Sequence, residues 1–181
     1  MSGSEVFAKY NSAVFTVWTE RAQGSGFFVS SDGLAVSNWH VFSGSNSYQV
    51  QTSDGDLYGV DKIVAKDAEA DYVVFRVKHD AGKTFNFLPR GNRNYRVGDK
   101  VYAIGSPKGY TNTLSSGDIS QIRNGDKYSI QINVPTDHGS SGGALINTYG
   151  EVIGITSAGV DNSNANLNFA IDIRKLSRWL K

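Results

Sequence analysis

Cysteine is absent from the 181 residues of this sequence, and only 3 of them are proline. Without cysteine the chain forms no disulfide, no thiolate metal site and no thiol nucleophile. No apolar run approaches the ~20 residues that a membrane-spanning helix needs. The first residues also lack the basic patch and long apolar stretch of a signal peptide, so no secretory signal is predicted. These absences predict a fold held by packing alone, and they leave the compartment unknown.

An excess of either charge is also missing, because 18 basic residues face 17 acidic ones. The resulting net charge of +1 argues against a nucleic-acid-binding domain, which normally carries a basic surface. The same balance excludes a strongly polybasic module of the membrane surface. With 181 residues, of which 39% are hydrophobic, the chain is long enough to form one domain, or two small subdomains, with a buried core.

Glycine and aromatic residues are abundant, with 20 Gly, 9 Tyr, 9 Phe and 3 Trp. This mixture suits short strands joined by tight turns. Apolar and polar residues alternate, for example between Tyr128 and Val134, as in strands with one buried face. Many short runs separated by turn residues predict an all-β sandwich or barrel. The predicted strands are 12–19, 25–30, 34–37, 48–52, 58–66, 72–78, 101–105, 111–115, 118–123, 128–134, 144–147, 152–157 and 167–172.

One segment near the end has helical periodicity. Ile173, Leu176 and Leu180 recur at spacings of three and four residues, and Asp172 is a suitable N-cap before them. The pattern predicts an α-helix there. Near the middle of the chain, the polar stretch 89–94 is either a linker between two β subdomains or an ordinary surface loop.

The sharpest chemical signal is the sequence GSSGG at residues 139–143, between two predicted strands. Glycines on both sides of a serine allow a tight turn that exposes the hydroxyl and brings backbone N–H groups together. Acyl transfer needs such an exposed nucleophile and donors for the developing oxyanion. A serine hydroxyl is a poor nucleophile alone, so a base is required.

The chain offers 3 histidines as that base. His40 ends an apolar run, and His138 directly precedes Gly139, inside the candidate nucleophile loop. His79 follows a predicted strand in a turn-like stretch, where a surface role is expected.

A triad also needs a carboxylate that orients the imidazole. Asp71 opens the apolar strand 72–78, which would place it at a barrel rim. The alternative carboxylate is Asp67, which belongs to a polar loop. Either aspartate could instead be an ordinary turn residue.

The order His40, Asp71, Ser141 is that of chymotrypsin-fold serine proteases. Over roughly residues 10–175, the chain resembles the HtrA/Deg-type protease domain in several ordered blocks, with a V8-type glutamyl endopeptidase as second relative. The blocks are GSGFFVSSDG at 24–33, VSNWHV at 36–41, ADYVVFRV at 70–77, SPKG at 106–109, SGDIS at 116–120, TDHGSSGGALIN at 136–147, VIGI at 152–155 and NFAI at 168–171.

The resemblance implies two six-stranded antiparallel β-barrels followed by a short C-terminal α-helix. Residues 1–181 then form a single trypsin-like protease domain. Its expected parts are an N-terminal barrel at 9–89, a C-terminal barrel at 95–171 and the helix at 172–181.

The resemblance also assigns the site. The triad of His40, Asp71 and Ser141 would lie in the cleft between the barrels, and the N–H groups of Gly139 and Ser141 would form the oxyanion hole. The chain departs from the family at Ser140, where Asn or Asp is usual, and at His138.

Specificity follows by the same route. In this fold the position six before the nucleophile forms the floor of the P1 pocket, and here it is Pro135, so a preference for Arg or Lys is not expected. The His that follows the VIGI strand in glutamyl relatives is missing, which disfavours glutamate. A small or medium uncharged P1 residue is therefore expected. The remaining expected substrate-binding residues are Thr136, Thr156, Ser157, Ala158 and Gly159, the last three on a strand that would pair with the substrate backbone.

These features predict a serine endopeptidase that hydrolyses polypeptides through an acyl-enzyme. The alternative is a catalytically silent or gated protease-fold module that binds peptides or serves in assembly. No metal-ligand cluster and no cofactor motif is recognised, so neither group is expected. The sequence leaves open whether the chain forms a homo-oligomer and whether a longer natural chain carries appended domains. It also leaves open the role of His138. The resemblance alone favours a periplasmic or secreted protein.

Overall fold

Twelve strands form the framework of the described part of the chain. The computed structural model describes residues 1–91, 93–106, 111–135, 139–157 and 168–180. The helices are α1 (Gly3–Tyr10), the single turn α2 (Trp39–Phe42), and 3₁₀ segments at Asn11–Ala13 and Ile173–Trp179. The strands are β1 (Val14–Thr19), β2 (Gln23–Phe28), β3 (Leu34–Ser37), β4 (Tyr48–Gln51), β5 (Leu57–Asp67), β6 (Tyr72–Val77), β7 (Lys100–Gly105), β8 (Thr113–Ile122), β9 (Ile130–Ile132), β10 (Ala144–Asn147), β11 (Val152–Ser157) and β12 (Asn168–Asp172).

The strands close into two barrels. The first has the order β1-β2-β3-β6-β5-β4, and the second has the order β10-β11-β12-β9-β8-β7. Every strand pair within them is antiparallel. Among these described strands, closure leaves no open sheet edge that must be protected. The predicted fold class of two six-stranded antiparallel barrels is therefore confirmed.

Each barrel has its own apolar interior. Aromatic rings fill the first barrel, where Phe42 and Phe75 lie 4.9 Å apart between ring centroids and Phe15 and Phe28 also lie 4.9 Å apart. Aliphatic side chains fill the second, chiefly Val101, Ile119, Ile130, Ile132, Val134, Leu145 and Ile153. The side chains that alternate along each strand supply these interiors, as the sequence pattern predicts.

A third apolar cluster joins the two barrels. It unites Val36 and Val74 of the first barrel with Ile104 and Ile155 of the second, and α1 adds Val6 to it. The stretch between the barrels runs beside β11, because the Val152 N–H donates to the Pro89 carbonyl over 2.9 Å. The barrels therefore share a continuous buried interface.

Besides the short helix α2 and shifts of a few residues at strand ends, three features differ from the sequence-based expectations. Helix α1 was not predicted, although Ser2 and Glu5 form a capping box at its start. A single strand, β8, replaces two predicted runs because Gly117 packs closely rather than turning the chain: a Cβ there would lie 2.3 Å from Asn133 Oδ1. The C-terminal segment is helical with Asp172 as its N-cap, but it has 3₁₀ rather than α geometry. No helix in the described ranges is long and apolar enough to cross a membrane.

Candidate active site

Strand pairing in the first barrel brings α2 to Asp71. β3 pairs with β6, so that Ser37 lies opposite Val73, and α2 begins two residues after β3 ends. The main-chain carbonyl of Asp71 accepts hydrogen bonds from the Trp39 N–H at 3.2 Å and from Asn38 Nδ2 at 3.1 Å. These bonds tie the start of the helix that carries the candidate base to the residue that carries the candidate carboxylate.

The Asp71 carboxylate accepts hydrogen bonds on both oxygens. Its Oδ1 accepts from the His40 main-chain N–H at 2.8 Å, and its Oδ2 lies 2.7 Å from His40 Nδ1. The Tyr128 hydroxyl donates to the same Oδ2, also at 2.7 Å. Asp71 is only 2% exposed, so these contacts replace water as the solvation of its charge.

These bonds favour the ionised form of the Asp71 carboxylate. Burial alone would raise the pKa of Asp71, but the hydrogen bonds and charge of His40, with the Tyr128 hydroxyl, outweigh burial and lower that pKa. An ionised carboxylate only accepts, so His40 Nδ1 carries a proton and neutral His40 presents Nε2 as an acceptor. Because the His40 side chain is 47% exposed, the imidazole borders the cleft while its partner is buried.

The backbone of Asp71 is itself unusual. Its φ of 62° makes it the one non-glycine residue with positive φ in the described part of the chain. Aspartate tolerates this left-handed conformation better than most residues, at a cost of order 1–3 kcal/mol. The hydrogen bonds on its carbonyl and carboxylate hold the conformation in place.

Strand β2 holds the turn that contains the candidate nucleophile. The carbonyl of Gly139 accepts from Ser25 Oγ at 2.7 Å and from Gln23 Nε2 at 3.4 Å. The carbonyl of Ser141 accepts from the Ser25 N–H at 2.8 Å. Ser25 Oγ in turn accepts from the Ser106 N–H at 2.8 Å, and Gln23 Nε2 donates to the Ser106 carbonyl at 2.8 Å. Two polar side chains of the first barrel therefore clamp the turn of the second.

Strand β11 holds the other side of the turn. The Ser140 carbonyl accepts from the Gly143 N–H at 3.0 Å and from Thr156 Oγ1 at 3.1 Å. Thr156 also exchanges main-chain bonds with Gly142 and Gly143, at 2.8 and 2.9 Å. A trans peptide is planar, so the Ser141 N–H points opposite to the Ser140 carbonyl and away from buried Thr156. This direction suits a donor for an oxyanion.

Two glycines allow the turn to approach α2. A Cβ on Gly24 would lie 2.7 Å from the Val41 side chain and 3.2 Å from the Ser141 carbonyl oxygen. A Cβ on Gly142 would lie 2.0 Å from a main-chain oxygen of β2. Because Val41 follows His40, the glycines bring the serine turn and the histidine helix against the same strand.

The other predicted site residues fall into two groups. Pro135 is exposed after β9, Thr156 bonds the nucleophile turn as described, and Ser157 is buried at the end of β11. The remaining predictions lie outside the described residues: Thr136, His138, Ala158 and Gly159.

The competing residues have local partners instead. Asp67 Oδ1 accepts from the Ala70 N–H at 2.9 Å, as a turn residue does. His79 is half-buried, and its two ring nitrogens lie 2.9 Å from the main-chain carbonyl oxygens of Asp80 and Asp32. Within the described ranges, no group of three or more His, Asp or Glu side chains could hold a metal ion.

Sequence reasoning missed three residues of the site: Gln23, Ser25 and Tyr128. Ser25 lies between two glycines, and this small-residue pattern was a usable signal for a close approach of backbones. Tyr128 lies 57 positions from Asp71 in the sequence, and no local sequence pattern predicts the hydrogen bond between them.

The structure has two antiparallel barrels, and an imidazole–carboxylate pair and a glycine-bounded serine turn lie where the barrels meet. These features define the chymotrypsin class of folds. The family description "Trypsin-like peptidase domain" matches residues 24–155. The chain therefore belongs to the trypsin-like peptidase domain family.

Similar proteins carry names of the HtrA and DegP type, so the predicted resemblance is confirmed. The chain is 37% identical over 168 residues to "Serine protease HTRA1" of Xenopus tropicalis, covering 88% of the chain and 35% of that protein. It is 39% identical over 160 residues to "Probable serine protease do-like" of Buchnera aphidicola, covering 83% and 33%. It is 38% identical over 160 residues to "Probable periplasmic serine endoprotease DegP-like" of Rhizobium meliloti, covering 84% and 31%. The chain spans about a third of the length of these relatives.

Proposed function

We propose that this chain is a serine endopeptidase whose catalytic triad is His40, Asp71 and Ser141. The observation that carries the proposal is the buried Asp71 carboxylate bonded to His40 Nδ1 beside the clamped GSSGG turn. The names of the relatives support the same reaction class.

In this mechanism His40 Nε2 takes the proton of the Ser141 hydroxyl as Oγ attacks the peptide carbonyl carbon. Asp71 keeps Nδ1 protonated and stabilises the imidazolium that forms. His40 then gives its proton to the leaving amine, which leaves an acyl-enzyme on Ser141. A water molecule repeats the attack, with His40 again as base, and releases the carboxylic acid.

The N–H groups of Gly139 and Ser141 bind the oxyanion of each tetrahedral intermediate. The hydrogen bonds on the Ser140 carbonyl support the role of Ser141, because a fixed Ser140 carbonyl fixes the peptide plane that carries the Ser141 N–H. In a preorganised site one such donor contributes about 3 kcal/mol to transition-state binding.

Polypeptides with a small or medium uncharged P1 residue are the proposed substrates. Pro135 and Thr136 would line the P1 pocket, next to Thr156, and Ser157, Ala158 and Gly159 would pair with the substrate backbone. A matched set of peptides with Val, Ala, Glu or Arg at P1 tests this assignment. Faster cleavage after Glu or Arg than after Val or Ala would contradict it.

Function outside the cytoplasm is proposed from the relatives alone, since the Rhizobium protein is named periplasmic. A homo-oligomer is a separate proposal, and appended domains in a longer natural chain are compatible with the short share of the relatives that the chain spans. Size-exclusion chromatography with light scattering tests the first of these.

The decisive experiment compares wild type with Ser141→Ala, using casein cleavage and mass-detected labelling by a fluorophosphonate. Wild type should cleave casein and gain one adduct on Ser141, and the variant should do neither. Ser53→Ala, a change at an exposed serine, is the matched control and should behave as wild type. Equal cleavage by wild type and Ser141→Ala would refute the assignment. Absence of both cleavage and adduct in wild type would favour the silent-module alternative.

A further inference from the structure

Tyr128 belongs to the second barrel but donates a hydrogen bond to the candidate catalytic carboxylate of the first. It precedes β9, and its hydroxyl reaches Asp71 Oδ2 over 2.7 Å. We propose that Tyr128 is a positioning residue for the catalytic pair. Its hydroxyl holds Asp71 Oδ2 against His40 Nδ1 and moderates the basicity of the Asp71 carboxylate. This inference rests on the proposed protease function.

The hydroxyl is a permanent donor. Burial raises the pKa of Tyr128, and its hydrogen bond to the Asp71 charge raises it further, so the phenol stays protonated at any pH at which a protease of this class works. A neutral donor stabilises the carboxylate without adding a charge that would compete with the imidazolium. The same oxygen therefore receives two hydrogen bonds with distinct roles, one from the base and one from a fixed phenol.

The loop that carries Tyr128 is itself anchored. The Arg123 N–H donates to the Ser129 carbonyl at 2.8 Å across the turn. Lys175, from the C-terminal 3₁₀ helix, donates through Nζ to the main-chain carbonyls of Asp126 and Lys127, at 2.9 and 3.0 Å. The ring of Tyr128 packs against the apolar cluster between the barrels. These contacts restrict the hydroxyl to the position from which it reaches Asp71.

Among the residues that the structure describes, few groups face this carboxylate. His40 acts on Asp71 from α2, and Tyr128 acts on it from the loop before β9. Lys127 Nζ lies 5.4 Å from the centroid of the Tyr128 ring, and the Ser157 hydroxyl faces the phenol from β11. Loss of the phenol hydroxyl would leave more of the Asp71 charge to stabilise the imidazolium, and would remove one of the three hydrogen bonds that hold the carboxylate.

The test replaces Tyr128 by Phe, which keeps the ring and removes only the hydroxyl. Because the two hydrogen bonds from His40 still hold the carboxylate, only part of its positioning is lost, and kcat should fall about threefold to tenfold, with KM within about twofold. The acid limb of the kcat/KM–pH profile should move to higher pH. The titration of the His40 ring, followed by NMR, should move in the same direction.

Tyr95→Phe is the matched control. The Tyr95 hydroxyl donates to Asp172 Oδ2 at 2.5 Å. The substitution therefore also removes a tyrosine–aspartate hydrogen bond from the second barrel, but away from the site. Tyr95→Phe should leave the acid limb and the His40 titration where wild type has them. A Tyr128→Phe variant that matches Tyr95→Phe in both readouts would overturn the proposal. The NMR titration needs no turnover, so it tests Tyr128 even if the proposed protease function fails.

Discussion

At the scale of single residues, the candidate site depends on its glycines, which have no side chain, as much as on its polar side chains. Asp71 adopts a positive φ of 62° and is held there by hydrogen bonds on its carbonyl and carboxylate. Gly142 also has a positive φ, of 95°, and in addition approaches the β2 backbone too closely for any Cβ. The first constraint is conformational and the second is steric, so substitutions can separate them.

Gly142→Ala and Gly55→Ala make this separation. Both glycines have similar φ values, 95° and 93°, but an added Cβ lies 2.0 Å from the Ser25 carbonyl oxygen at Gly142 and meets nothing within 4 Å at Gly55. Gly55→Ala should cost only the left-handed strain, about 1–2 kcal/mol of unfolding free energy. Gly142→Ala should cost at least about 3 kcal/mol, because the backbone must move. Urea unfolding measures both values, and similar losses in the two variants would show that the close approach is not required.

At the scale of elements, His79 joins the ends of strands in the first barrel. Its ring bonds the main-chain carbonyls of Asp80, after β6, and Asp32, in the turn between β2 and β3, and it packs edge-on against Phe85. Both nitrogens face acceptors, and only the imidazolium can donate from both. These two hydrogen bonds, that to Asp80 first, raise the pKa of His79, with smaller contributions from the charges of Asp32 and Asp61.

The sign of the resulting pH dependence follows from linkage. A raised pKa in the folded state means that His79 contributes its full stabilisation below the unfolded value of about 6.5 and loses it as pH rises through the folded value. His79→Gln should therefore lower Tm more at pH 5 than at pH 8.5, relative to wild type at each pH. The lowered pKa of Asp32, due mainly to Ser30, keeps that neighbouring carboxylate ionised throughout this range. A Tm difference between variant and wild type that is the same at both pH values would exclude the doubly bonded imidazolium.

The elements also show how far sequence reasoning reaches. Strands such as β3, β10 and β11 were predictable to the residue, because each buries a continuous apolar run between turn residues. The His40–Asp71 neighbourhood was predictable from the order of the triad residues and their flanking motifs. The clamp from Ser25 and the hydrogen bond from Tyr128 were not, since they join backbones and side chains that only barrel closure brings together. Helix α1 is a different case, because its capping box was present in the sequence but was not used.

At the scale of the whole molecule, two barrels without a disulfide share one buried interface. Val36 and Val74 of the first barrel lie in the same apolar cluster as Ile104 and Ile155 of the second. The candidate site spans that interface, since Tyr128 and the Ser25–Gly139 contact cross it. Opening the interface would expose a large apolar surface, so neither barrel should persist alone.

A conservative core change in either barrel therefore tests cooperativity of the whole. Phe75→Leu, inside the first barrel, and Ile132→Val, inside the second, alter fully buried side chains and should each cost about 0.5–2 kcal/mol of unfolding free energy. If the barrels unfold as one unit, each variant lowers a single thermal transition by a few degrees. Each should also accelerate hydrogen exchange equally at the most protected amides of both barrels, because those amides exchange only through global unfolding. Acceleration confined to the substituted barrel would mean that the other barrel keeps its structure, and that the interface with its site forms a separate, later step of folding.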